Sequence, residues 1–98
     1  MIVAVFHKNG SERILAACDS ELAGKRFEDA DLVLDLGTQF FKGSKVSEEE
    51  FRGMLAQATS ANIVGRNAVR IAVETRCIHE EAVGEICGIP FAMFFCMG

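Results

Sequence analysis

The chain has no Trp and no Tyr, a single Pro (Pro90) and no excess of basic residues. Each shortage excludes something. With no Trp or Tyr, and with most Phe set in apolar runs, there is no obvious aromatic platform for stacking single-stranded bases. One Pro and nine Gly in 98 residues rule out collagen-like and low-complexity chains. Ten Lys and Arg against fourteen Asp and Glu give a formal charge of −4, so the chain is no basic nucleic-acid coat and no DNA partner is expected. The longest apolar stretch, Ile86 to Met97, is broken by Gly88 and Pro90. It is shorter than the roughly 20 residues that span a bilayer. Nothing at the start reads as a secretory signal, because the apolar run Ile2–Phe6 turns polar at His7-Lys8-Asn9-Gly10. A cytoplasmic, soluble protein with no membrane partner is the expectation.

Absent motifs exclude chemistries in the same way. The four cysteines, Cys18, Cys77, Cys87 and Cys96, include no CxxC knuckle, so no zinc site is expected and buried inert thiols are the default. Gly24-Lys25-Arg26 lacks the hydroxyl residue and the earlier Gly of a phosphate-binding loop. No GxSxG elbow accompanies His7 or His79, the two histidines. No catalytic residue, metal or cofactor is therefore assigned.

What is present is half apolar and 24% charged, the balance of a folded domain. Ile2–Phe6, then Asn9-Gly10, then Arg13–Cys18 predict an N-terminal β-hairpin. Asp19-Ser20 caps a short helix over 21–27, and Asp31–Leu36 reads as a third strand. Ser47-Glu48-Glu49-Glu50 is a capping box, and Phe51, Met54, Leu55 and Ala58 follow at helical spacing. From Ser60 a second main helix is predicted to about Arg76, with Ala61, Val64, Ala68, Ile71 and Ala72 on one face. A short turn follows at Ile78–Val83, and Ile86–Phe95 reads as an apolar last strand, central in the sheet and buried on both sides. The predicted fold is one α+β domain over 1–98. It has a mixed sheet of about four strands, starting with the hairpin, and two main helices on one face.

Four short segments then carry a resemblance: Leu22-Ala23-Gly24-Lys25-Arg26-Phe27, Phe40-Phe41-Lys42-Gly43 before the acidic cap, Ala61-Asn62-Ile63-Val64-Gly65, and Cys87-Gly88-Ile89-Pro90. In this order they resemble an archaeal family of small proteins catalogued as a domain of unknown function, number 424. The resemblance covers nearly the whole chain. It implies an archaeal, cytoplasmic, single-domain protein and brings no established activity. One departure is Phe91-Ala92-Met93, where members of the family tend to be polar.

The functional expectation is a non-enzymatic binding module. Arg66 and Arg70 stand at i, i+4, and with Lys25 and Arg26, and with Lys42 and Lys45 if the fold gathers them, they are the candidates for a basic patch that would touch RNA. Asn62 is the candidate amide for a ligand or a base. The resemblance and that patch together point to a protein or ribonucleoprotein partner, such as a particle of the archaeal translation machinery. Two alternatives stand beside it. One is an enzyme on a small anionic substrate, with Lys25 and Arg66 as clamps and Asn62 orienting. The other is a homodimer formed through the apolar C-terminal strand or the Gly/Ala-rich second helix.

Overall fold

The computed structural model describes residues 1–95. The first two strands, β1 (Ile2–Asn9) and β2 (Glu12–Asp19), form the expected hairpin, with Asn9 opposite Glu12 across Gly10-Ser11. Then come β3 (Arg26–Asp29), β4 (Leu32–Asp35) and β5 (Ser44–Val46). Helix α1 (Glu48–Gln57), β6 (Ser60–Val64) and α2 (Arg66–Glu74) follow. The chain closes with β7 (Gly84–Ile86) and β8 (Ile89–Phe95). Six strands make one sheet in the order β5-β1-β2-β6-β8-β7, and β3 and β4 pair separately. Only β2 and β6 run parallel. The crossover between them carries α1, as a parallel connection requires.

The α+β class and the mixed sheet are as predicted, but the strand count of four is corrected to six plus a separate pair. Three local readings change with it. The helix predicted over 21–27 is only a 3₁₀ turn, Ser20–Leu22. Gly24 stands at φ +81°, outside helical geometry, and Arg26–Asp29 then extends as β3. The strand predicted at Asp31–Leu36 pairs with β3 rather than joining the main sheet.

The helix predicted from Ser60 is a strand as far as Val64. Ala61 and Ile63 point to one side of β6, and Val64 joins the cluster on the other. β-Branched residues favour that extended form, and the apolar spacing of this stretch satisfies a period of two as well as one of 3.6. Gly65 at φ +110° makes the break before α2.

The C-terminal strand is a hairpin turned at Cys87-Gly88, both at positive φ. It is not buried on both faces: Met93 is 58% and Phe95 75% exposed. Cys96 and Met97 lie outside the described residues.

The core has two layers. On one face, Ile2 and Ala4 of β1, Leu15 and Ala17 of β2, and Ile63 of β6 pack with Phe51 and Leu55 of α1 and with Ala68, Ile71 and Ala72 of α2. Both helices therefore bury their stripes on the same side of the sheet. The start of α1 is the capping box itself, with Glu50 N donating to Ser47 Oγ at 3.1 Å and Ser47 N to Glu50 Oε1 at 3.2 Å. On the opposite face a smaller cluster holds Val3, Cys18, Leu36 and Val64, with Phe27, Leu34 and Phe91 packed against it. The β3–β4 hairpin is thus a lid over one end of the sheet. Among the described residues no helix is long and apolar enough to cross a membrane.

Candidate functional site

The lid leaves the other end of that sheet face open. Asn62 lies in the middle of β6, between Ala16 of β2 and Met93 of β8. Its neighbours Ala61 and Ile63 belong to the helix-side core, so alternation turns Asn62 to the lid side. There it lines a groove of about 250 Å³ with Leu34, Phe40, Phe41, Phe91 and Met93. Beside the groove, the His7 ring stacks on Phe40 with centroids 4.9 Å apart. His7 Nε2 is 2.8 Å from the Phe40 carbonyl, which only accepts, so Nε2 carries the proton.

The edge next to this groove is unfinished. β7 pairs with β8 only over Ile89–Phe91, while β6 pairs with β8 as far as Phe95. Among the described residues, Ala92–Phe95 therefore has no strand on its outer side. Met93 and Phe95, the exposed apolar residues, belong to this free length. Their apolarity was legible in the sequence, but their exposure was not.

The predicted basic residues do not gather into one patch: Lys42 and Lys45 line one cleft, and Arg66 and Arg70 another. Arg66 and Arg70 lie on α2 and line a groove of about 500 Å³ with Val69, Val73, Val83 and Pro90. Arg70 donates to Glu74 Oε2 at 3.1 Å and to Glu48 Oε2 at 3.4 Å, and Arg52 donates to Glu74 Oε1 at 3.1 Å. These bonds tie α1 to α2 and neutralise the arginine. The Glu74 hydrogen bond raises Arg70 above the ordinary guanidinium range, and Arg52, then Arg70, hold Glu74 below the usual carboxylate range. Lys25 and Arg26 sit on the lid, where Arg26 pairs with Glu28. Asn62 and Arg66 thus line different grooves on opposite faces of the sheet, and Lys25 lines neither of the two.

A family model matches residues 6–97. The chain belongs to the family described as "Protein of unknown function (DUF424)". No curated protein matches the chain. Among solved structures, the fold is shared with that of an uncharacterized conserved protein from Methanopyrus kandleri, at 19% sequence identity and a TM-score of 0.78. That match covers 99% of this chain and 94% of the other. It shows the fold alone.

One buried polar residue was missed as such. In the sequence Asp19 stands as a cap of a short helix over 21–27. It makes no side-chain bond there and instead reaches α2. Oδ2 accepts from Asn67 N at 3.1 Å and Oδ1 from Ala68 N at 2.8 Å. Asp19 is 2% exposed. It supplies the cap that Gly65, with no side chain, cannot. A cap type was visible in the sequence, but the helix it serves lies 48 residues away.

The cysteines behave differently from one another. Burial pushes the Cys18 thiol up to about 11, with a further rise from adjacent Asp19. Cys77 is half-buried and Cys87 exposed. Alkylation of the folded protein at mildly alkaline pH, followed by peptide mass mapping, should label Cys87 first of the three described cysteines and leave Cys18 untouched until unfolding. The sign for stability follows from the raised value. The folded state keeps a proton that the unfolded chain releases near pH 9.0, so stability should fall as pH rises from there to about 11. Early labelling of Cys18 at equal rate would contradict its burial. Among the described residues no group of three His, Cys, Asp or Glu is placed to hold a metal ion.

Proposed function

We propose that the protein is a non-enzymatic binding module that takes an extended segment of a protein partner onto the free edge of β8. The observation that carries this is the unpaired length Ala92–Phe95 with its exposed Met93 and Phe95. An open edge offers main-chain donors and acceptors in register for another strand, and apolar side chains beside it add affinity. The Asn62 amide, which both donates and accepts, lies one strand inward. The enzyme alternative loses its support, because Lys25, Arg66 and Asn62 do not converge on one groove. Contact with RNA through Arg66 and Arg70 is also disfavoured: Arg70 is held by two carboxylates and the protein carries −4 overall. A protein component of an archaeal translation particle remains the partner class that the family resemblance suggests.

Pairing of β8 with β8 of a second copy is the second reading, since an antiparallel edge-to-edge pair is two-fold symmetric. Sedimentation of the native protein from its own lysate separates these. The expected result is co-migration with a larger particle that survives high salt and nuclease and is lost in Met93→Lys with Phe95→Lys. Release by nuclease or salt would overturn the edge reading in favour of RNA. A free species in every condition would overturn it as well, and a mass of twice the monomer by light scattering would then establish self-pairing.

A further inference from the structure

A third cleft lies on the lid side of the sheet, lined by the segments that flank the β3–β4 hairpin, and its charge is unlike that of the rest of the molecule. It has a volume of about 290 Å³. Its floor is apolar, made by Val3, Leu36 and Phe41. Lys42 and Lys45 stand in its wall, and no carboxylate lines it. Lys45 faces this side because it pairs with Val3, whose side chain belongs to the lid-side core. Neither lysine takes part in an ion pair among the described residues. The Asp35 carboxylate lies behind the Gly37 wall, where Oδ1 accepts the Gly37 N–H at 2.8 Å. Thr38 also lines the cleft, and its hydroxyl does not cap the turn that follows. Gly24, Gly37 and Gly43 also line it. Gly43 has no freedom to be otherwise, because a Cβ there would collide with the Ala4 carbonyl of β1.

In a protein of charge −4, two lysines line one cleft, and neither is ion-paired among the described residues. Compact ammonium groups suit phosphate as point charges, and a hydroxyl adds a third donor. The apolar floor asks for more than a bare ion. We propose that this cleft is a binding site for a small phosphate monoester whose organic part is apolar or planar. The phosphate meets Lys42, Lys45 and the Thr38 hydroxyl, and the organic part covers Val3, Leu36 and Phe41. The site lies apart from the free β8 edge, although its Phe41 also lines the Asn62 groove, and the proposal does not depend on that edge.

The test is an amide-shift NMR titration of the isotopically labelled protein with phenyl phosphate and with inorganic phosphate. The expected result is saturable shifts at the amides of Gly24, Gly37, Thr38 and Gly43. Phenyl phosphate should bind roughly tenfold tighter than inorganic phosphate, the difference being burial of the ring. Lys42→Ala with Lys45→Ala should weaken phenyl phosphate by about tenfold or more. Both lysines are exposed, and the spectrum of the variant reports directly that it folds. No saturable shift at these amides, or equal binding by the double variant, overturns the proposal. Equal affinity for the two phosphates overturns the part assigned to the apolar floor.

Discussion

Gly65→Ala should lower stability by about 4 kcal/mol or more, the range reached only by substitutions that break a specific structural device. Two costs add at this position. Gly65 stands at φ +110° and ψ 155°, a region essentially reserved for glycine. A Cβ there would also lie 2.5 Å from Asp19 Cγ and 2.7 Å from its Oδ1. The side chain has nowhere to go, because Asp19 is held from the far side by the first amides of α2. Displacing the carboxylate then strips those amides of their acceptor. For a chain of this size about 4 kcal/mol corresponds to a fall in melting temperature of roughly 20 °C. Thermal unfolding by circular dichroism measures it. A change below about 1 kcal/mol would mean that the β6–α2 joint adapts easily, and would refute this account of the glycine.

The second large effect is expected for Asp19→Ala. The amides of Asn67 and Ala68 would lose their partner in a place that water reaches poorly, at about 3 kcal/mol for the pair. Asp19→Asn keeps an acceptor oxygen and should fall between Ala and the natural residue. The two positions are coupled through one collision. Gly65→Ala should therefore cost less in an Asp19→Ala background, with a coupling of about 1–2 kcal/mol in a double-mutant cycle. Denaturant unfolding of the four proteins gives that number. Simple additivity would show that the backbone strain at Gly65, and not the contact with Asp19, sets the cost of the alanine.

These two residues also show where reading the chain alone stops. The amide–carboxylate contact joins the end of β2 to the start of α2, and nothing local to either residue announces it. Asp19-Ser20 looks like a cap, and Asp19 is one, but of a helix brought to it by the parallel pairing of β2 with β6. Asn62 fared similarly. Its setting between Ala61 and Ile63 suited a helix and a strand equally, and only the sheet decided that it faces the lid side. The strand that ends at Phe95 was expected to be central because it is apolar. Its outer edge is free because β7 is three residues long and covers no more than Ile89–Phe91.

Elements whose signals are local were legible from the sequence alone: the first hairpin around Asn9-Gly10, the capping box at Ser47 and Glu50, the amphipathic stripe of α1, and the α+β class. Each rests on contacts within a few residues, so the side chains that specify it lie inside the window that is read. The ordered motifs were likewise enough to suggest the family. The tertiary structure alone decided the six-stranded order, the separate lid, the open edge of β8 and the cleft with two unpaired lysines. Those features depend on which faces are covered by segments far away in the chain. Burial, pairing and charge compensation are properties of neighbours in space, and a linear pattern carries no record of which neighbours arrive.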